Sequence, residues 1–295
     1  MPQYGSGMAV NTTFKIGGEI EIHRLGFGSM RLTGEGIWGP PEDPEECRRV
    51  LKRAVELGVD FVDTADSYGP YVTEELIGET LAPYESVTIA TKAGLARIAP
   101  DLGDGPRVWP PVGRPEYLRQ ECEMSLRRLK LEVIDLWQLH RIDPKVPREE
   151  QFGLLKDLQD EGKVRHVGIS QVTVEEIQAA RDIVEIATVQ NRYNLADQSA
   201  ADVLEYCEQH EIGFIPWAPM AQGELTGTDS PGAKAAEGHE VSPGAVALAW
   251  LLHRSDVILP IPGTSTVAHL EQNMKAKDLE LTADELSAFD SAVKD

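Results

Sequence analysis

Short apolar runs alternate eight times with longer amphipathic segments between Leu25 and Ala276, and few folds accommodate that rhythm. The runs are Leu25-Gly26-Phe27-Gly28, Phe61-Val62, and residues 87–90, 134–139, 164–169, 186–189, 213–217 and 257–260. Each is brief and most are β-branched, as strands buried on both faces should be. The intervening segments begin and end as helices do: Asp43-Pro44-Glu45-Glu46 precedes Val50, Leu51, Ala54 and Val55 at helical spacing, and Gly58 stops the run. The segment opening at Thr73 and residues 116–129, 148–159, 173–181, 200–210, 242–253 and 266–276 read the same way. Strand then helix, eight times within about 250 residues, predicts a closed parallel (β/α)8 barrel, the TIM-barrel form of the α/β class. An open doubly wound sheet has fewer units and a glycine fingerprint after its first strand, which Leu25-Gly26-Phe27-Gly28 lacks. A β-hairpin is expected ahead of the barrel, over residues 13–16 and 19–22, turning at Gly17-Gly18. No Pro- or Ser-rich linker interrupts the pattern, so residues 1–295 are expected to form one domain.

Composition narrows the function classes. The 295 residues are 41% hydrophobic, enough for a large core, and no apolar run approaches the roughly 20 residues of a membrane span. Residues 1–13 lack the basic and then apolar regions of a signal peptide, which predicts a cytoplasmic protein. A formal charge of −21 repels phosphate backbones and argues against nucleic acid as a partner. The acidity also suits a saline cytoplasm, although acidic proteins occur elsewhere. Cys47, Cys122 and Cys207 are odd in number and widely spaced, so they read as half-buried small residues rather than a disulfide or a metal site.

Chemistry on such a barrel is built from polar groups at the C-terminal ends of the strands. Asp63 follows Phe61-Val62, Tyr68 comes five residues later, Lys92 ends the third run and His140 the fourth. Reducing a carbonyl requires a proton donor at the oxygen, and a phenol is too weak an acid unless its anion is stabilised. A neighbouring lysine would lower the phenol pKa, a carboxylate would hold the lysine charged, and a histidine would orient the carbonyl. Taken singly, each residue also has a structural explanation, as a turn cap, a surface group or packing. Asp66 competes with Asp63 for the carboxylate role, but Asp63 sits directly at the strand end. Long connections at residues 29–42, 93–115 and 222–240 would overhang the mouth. Trp38 and Trp109 within them are candidate walls of a substrate pocket together with Tyr68 and His140, or caps of the loops' own small cores.

The stretch Gly58 to Gly69, containing Asp63-Thr64-Ala65-Asp66-Ser67-Tyr68-Gly69, resembles the signature of the aldo-keto reductase family. So do Ile89-Ala90-Thr91-Lys92, Asp135 to His140, Gly162 to Ser170 and Val189 to Asn194, in the family's order and spacing. The resemblance implies that Tyr68 is the acid, Lys92 and Asp63 tune it, and His140 orients the carbonyl. It implies a nicotinamide cofactor lying across the barrel mouth. Its carboxamide would lie at Ser170, Gln171 and Gln190, its ring on Trp217, and further contacts would come from Ser29, Met30, Asp63, Ala218, Pro219, Met220, Gln222 and Gly223. Its adenosine end would lie at Gly263, Thr264, Ser265, His269, Gln272 and Asn273.

Gln171 and Trp217 depart from the family's usual Asn and Tyr, though both keep the chemistry needed. The Lys and Arg that many members place near Gly263 and His269 are missing here. NADPH is the expected cofactor, on family habit and the Thr264 and Ser265 hydroxyls, with NADH the alternative. The function implied is reduction of aldehydes and ketones to alcohols. The alternative is a non-catalytic nucleotide-binding sensor or regulatory subunit on the same fold. A sugar-phosphate or hydrolase barrel would show metal-spaced carboxylates or a glycine phosphate loop, of which Gln222-Gly223-Glu224 is a faint version. The chain ends at Asp295, soon after a final helix over residues 282–293, and a more open site for small aldehydes, ketones or sugars is expected. A monomer or weak homo-oligomer acting on a small-molecule carbonyl is the expected state.

Overall fold

Seven of the eight apolar runs form one curled parallel sheet in chain order, and the eighth closes it without becoming a regular strand. The computed structural model describes residues 11–103, 108–226 and 232–292. The expected features at residues 1–10 and 293, and parts of two long loops, lie outside the described residues. A hairpin of β1 (Thr13–Ile16) and β2 (Ile20–His23) comes first, turning at Gly17, Gly18 and Glu19, one residue longer than predicted. The sheet follows: β3 (Phe27–Gly28), β4 (Phe61–Asp63), β5 (Thr88–Ala93), β6 (Ile134–Leu139), β7 (Val164–Ser170), β8 (Ile186–Arg192) and β9 (Gly213–Trp217). Each pairs in parallel with the next.

The expected eighth strand is replaced by an extended segment rich in proline. On one edge Phe214 N donates to Val257 O and Leu259 N to Phe214 O, both at 2.8 Å. On the other edge Gly26 N donates to Pro260 O at 2.9 Å and Gly28 N to Pro262 O at 3.2 Å. Pro260 and Pro262 have no N–H to return, so the ring closes by hydrogen bonds on both sides but no two-way ladder forms against β3. The approach is close. A Cβ on Gly28 would sit 2.6 Å from the Ile261 carbonyl oxygen, and one on Gly263 would sit 2.7 Å from that of Gly28, so both positions require glycine.

The helices are α1 (Pro44–Glu56), α2 (Val72–Thr80), α3 (Pro115–Leu129), α4 (Arg148–Asp160), α5 (Val174–Arg181), α6 (Ala201–His210), α7 (Ala233–His239), α8 (Pro243–Arg254), α9 (Val267–Met274) and α10 (Ala283–Ala292). Several start where a side chain satisfies an orphaned amide. Asp43 accepts from Glu46 N, Thr173 and Glu176 form a capping box, and Ser242 and Thr266 accept from Ala245 N and His269 N. Residues 173, 242 and 266 are therefore caps, where the sequence pattern made them the first helical residues. The 222–240 connection, expected as a loop, contains a 3-10 turn (Ala221–Thr226) and α7. None of the described helices is long and apolar enough to cross a membrane. The three cysteines are buried in α1, α3 and α6.

Two hydrophobic clusters set where polar residues can stand. The larger, with Trp137, Phe152, Ile169 and Trp250, lies between strands and helices. The smaller fills the barrel: Phe61, Ala90, Leu136, Ile215 and Leu259 meet Ile16 and Ile22 of the hairpin, which plugs the N-terminal end. Fully buried Arg24 secures that end by donating to the carbonyls of Asn11, Leu252, Ser255 and Ile258. Burial lowers its pKa to about 10 despite Asp256 nearby. With the bottom closed by apolar side chains, the next inward-facing layer toward the C-terminal mouth is the polar one.

Candidate active site

Side chains alternate across a strand, so the residue two after an inward apolar one also faces inward. Phe61 is followed by Asp63, Ala90 by Lys92, and Leu136 by Gln138. Lys92, fully buried and inside β5 rather than ending it, donates from Nζ to Asp63 Oδ1 at 2.5 Å and to Thr64 O at 2.8 Å. Asp63 Oδ2 accepts from Gln190 Nε2 at 3.0 Å and Gln138 Nε2 at 3.2 Å. Gln138 is absent from the residues singled out by sequence, although the alternation through Leu136 points to it. Gly168 on β7 makes room: a Cβ there would lie 3.0 Å from Gln138 Cγ and 2.9 Å from Thr188 O.

Tyr68 stands above this pair on the turn between β4 and α2. The Lys92 ammonium lies 5.1 Å from its ring centroid, close enough for its charge to act on the phenol. Burial opposes the charge on Lys92, but Asp63 and Tyr68 outweigh it and its pKa is raised. Burial also raises the Tyr68 pKa; Lys92 pulls it down and Asp63 up, and the net lies above the ordinary phenol. This corrects the expectation of a phenol lowered by its lysine: desolvation in the closed site exceeds the cation's effect.

His140, directly after β6, packs edge-on to Tyr68 with centroids 6.0 Å apart. Its Nδ1 is 3.3 Å from Ser67 Oγ. Burial, then the charges of Lys92 and Arg141, hold its pKa well below the usual imidazole value, so the ring is neutral. Tyr68 and His140 keep only 7% and 6% of their surface exposed, so both are nearly enclosed. Arg141, another residue the sequence pattern does not single out, donates from Nη1 to His140 O at 2.6 Å and Ser170 Oγ at 3.0 Å, which ties β6 to β7. Asp66 is not part of this group. It is buried among Glu74, Glu121 and Arg128, and neither of its oxygens makes a well-formed hydrogen bond. Burial, then Glu74 and Glu121, raises its pKa well above the carboxylate range against the pull of Arg128.

The residues expected around a cofactor lie along the β7–β9 side of the mouth and beyond it to α9. Ser170 Oγ donates to Gln190 O at 2.8 Å, and Gln171 Oε1 accepts from Trp217 Nε1 at 2.8 Å. The Gln190 amide nitrogen is spent on Asp63 and Gln138. Gln171, Ala218 and Ala221 all have positive φ, at 57°, 53° and 47°. Such strain in non-glycine residues gathers where a binding loop has to be held in shape. Met220 packs on the outer core, Ala218 and Pro219 lead into the turn holding Gly223, and the Gln222 side chain lies outside the described residues. Across the mouth, fully buried Ser29 has an Oγ with no partner among the described residues, and Met30 follows it, half-buried.

Gly263, Thr264 and Ser265 lead into α9, which carries His269, Gln272 and Asn273; Asn273 is buried, and Ser265, His269 and Gln272 are exposed. An unexpected neighbour stands here: Glu46 of α1 accepts from Val267 N at 3.0 Å, placing a carboxylate at the N-terminus of α9. That hydrogen bond, then the one from Arg49, lowers its pKa.

Arg97 joins the two loops carrying the expected pocket tryptophans. Its guanidinium is 3.6 Å from the Trp109 ring centroid and 5.6 Å from that of Trp38, and it donates to the carbonyls of Gly36, Ile37, Ser67 and Ala99. Trp38 bridges to Gly69 beside Tyr68, and Trp109 Nε1 donates to Asp101 Oδ2 at 2.7 Å.

The geometry therefore brings together a buried phenol, an ammonium–carboxylate pair and a neutral imidazole. The model of the Aldo/keto reductase family matches residues 24–294. The chain belongs to that family. An uncharacterized oxidoreductase of Schizosaccharomyces pombe is 48% identical over 282 residues, covering 96% of this chain and 90% of that one. Pyridoxine 4-dehydrogenase of Escherichia coli is 39% identical over 287 residues, covering 95% and 98%. Among solved aldo-keto reductase folds, the glycerol dehydrogenase of Gluconobacter oxydans superposes with a TM-score of 0.85 at 28% identity, over 96% of this chain and 95% of that one. An aldo-keto reductase from Klebsiella pneumoniae, solved with NADPH, gives 0.82 at 24% identity over 97% and 96%.

Proposed function

We propose that the protein is an NADPH-dependent reductase of aldehydes and ketones, working in the cytoplasm as a monomer or weak homo-oligomer, with Tyr68 as its general acid. The observation that carries this reading is the buried Asp63–Lys92 pair beneath Tyr68, with neutral His140 beside it. A bound reduced nicotinamide supplies the hydride that goes to the carbonyl carbon. Everything else falls to the chain.

The donor set fits such a cofactor: Trp217 offers an aromatic face, and Ser170 and Gln190 offer groups that match a carboxamide. Ser29, whose buried hydroxyl has no partner among the described residues, offers a further donor, and the Thr264 and Ser265 hydroxyls would serve the adenosine end. The Klebsiella neighbour was solved in complex with NADPH, and that supports the same choice here. With the substrate carbonyl between Tyr68 and His140, the phenol O–H bond breaks as the carbonyl oxygen gains its proton. Lys92, kept charged by Asp63, stabilises the phenolate left behind. With Ser67 Oγ as donor to His140 Nδ1, 3.3 Å away, the ring would carry its proton on Nε2, free to donate to the same oxygen. The Trp38 and Trp109 loops limit water at the reacting carbon.

Quenching of tryptophan fluorescence by NADPH and NADH, followed by absorbance at the reduced-nicotinamide band with a panel of aldehydes, tests the reading. Tight NADPH binding with turnover is expected. Binding without turnover contradicts the catalytic reading, and no binding contradicts the cofactor.

A further inference from the structure

A cavity of about 720 Å³ opens beside the candidate site, between the connections that leave β6 and β7. Arg141 at its edge is the residue after His140, and Gln171 is the residue after Ser170 and the partner of Trp217. Its charge runs against that of the chain. The protein carries 49 acidic and 28 basic residues, yet Arg141, Lys145 and Arg148 line this cavity with only two carboxylates, Asp143 and Glu176.

Both carboxylates are committed elsewhere. Buried Asp143 accepts from Gly113 N at 3.0 Å and from Lys145 N at 2.9 Å, while Glu176 accepts from Thr173 N at 2.9 Å within the capping box of α5. The cations are less committed. The Lys145 ammonium has neither an ion pair nor a hydrogen bond among the described residues. Arg148 has one ion pair, at 3.7 Å to Glu175, a side chain 83% exposed. A contact of that kind stabilises little. Arg148 is also the first residue of α4, where the helix dipole disfavours a positive charge and where no side chain caps the helix. A cation held in an unfavourable place beside a cavity is a local cost that binding an anion offsets. Arg141 is anchored through Nη1 to His140 O and Ser170 Oγ, which fixes its guanidinium between this cavity and the reacting groups.

We propose that the cavity is an anion subsite for the substrate, holding an oxyanion on the same molecule as the carbonyl that Tyr68 protonates. The proposal rests on the reductase reading and adds to it a substrate class: aldehydes and ketones that carry a carboxylate or phosphate. Lys145 and Arg148 bind the oxyanion, and Arg141 links the subsite to His140. Because the groups face solvent, the preference weakens as salt rises.

The test uses 4-carboxybenzaldehyde and its methyl ester, which differ in the charge. Calorimetric titration of each into the protein–NADP+ complex reads binding without reduction. The acid is expected to bind about tenfold more tightly than the ester at low salt, the scale of one charge-assisted hydrogen bond. In the Lys145→Gln/Arg148→Gln double variant that ratio is expected to fall to about one. Equal binding of acid and ester by the wild type, or a ratio the double variant leaves unchanged, overturns the proposal. A change in the NADPH dissociation constant of the variant, with the acid-to-ester ratio intact, assigns the cations to the dinucleotide and overturns it as well. A binding preference with no reduction of either aldehyde by NADPH contradicts the reductase reading and leaves the anion preference standing.

Discussion

Two buried polar clusters flank the turn that carries Tyr68, and they hold charge in opposite ways. In the first, one carboxylate meets one ammonium: both oxygens of Asp63 accept hydrogen bonds, from Lys92 on one side and from Gln138 and Gln190 on the other. In the second, three carboxylates share one guanidinium. Glu74 takes the hydrogen bonds of Arg128 Nε at 2.6 Å and Thr91 Oγ1 at 2.5 Å, Glu121 lies 3.6 Å from Arg128, and Asp66 has no such partner. Matched burial keeps charge in place, whereas unmatched burial removes it by protonation. The difference explains why Asp63 and not Asp66 supports the lysine, although both stand in one short motif. Thr91 and Lys92, adjacent on β5, point to opposite faces and so serve one cluster each.

Breaking the matched cluster should have the largest effect. Lys92→Met leaves a buried carboxylate with only amide partners, and it is expected to lower stability by about 3–5 kcal/mol. Turnover of an aldehyde should fall by about a thousandfold, because the phenolate loses its stabilising charge. Denaturant melts and steady-state kinetics read the two effects. A variant as stable and as active as wild type contradicts the role of the pair.

Relieving the unmatched cluster should act in the opposite direction. The folded-state pKa of Asp66 lies above its unfolded value of 3.8, so the folded protein keeps a proton that the unfolded chain releases. Its contribution is complete below that unfolded value and is lost as pH rises through the folded pKa. Asp66→Asn should therefore melt several degrees higher than wild type at pH 8 and together with it at about pH 4. A lower midpoint at pH 8 would contradict protonation of Asp66. The neutral imidazole of His140 gives a related expectation on the catalytic side. The pH profile of kcat/KM should show no inflection near the ordinary histidine value of 6.5, and an inflection there would mean that the ring charges in the free enzyme.

The smallest effect is expected furthest from both clusters. With the adenosine end at α9, as proposed, Glu46 would oppose a 2′-phosphate, so Glu46→Gln should shift the ratio of NADPH to NADH affinity toward NADPH by about threefold. Parallel fluorescence titrations measure it. An unchanged ratio places the phosphate away from this helix.

Position along the strands makes the main site readable from the sequence. Asp63, Lys92 and His140 close or follow apolar runs, and the motif fixes Tyr68 relative to Asp63. Gln138 is equally accessible through the alternation Leu136, Gln138, His140, but it sits inside a run whose other members are mostly apolar. What the sequence hides depends on contacts between distant segments. Arg97 serves two loops at once, Arg141 reaches from β6 to β7, and Glu46 meets an amide 221 positions away. No local period encodes these pairs. The eighth strand misleads for a different reason: the apolar pattern of residues 257–260 is that of a strand, but Pro260 and Pro262 lack the donors a ladder needs. The height of the Tyr68 pKa also needs the structure, since burial and charge act against each other there and only the geometry weighs them.

Whether Tyr68 delivers the proton is decided by Tyr68→Phe, which removes one oxygen and keeps the ring that packs on His140. In that variant kcat for an aldehyde is expected to fall by about a thousandfold or more while the NADPH dissociation constant stays within about twofold of wild type. Turnover comparable to wild type, with NADPH bound as tightly, would contradict proton delivery by Tyr68.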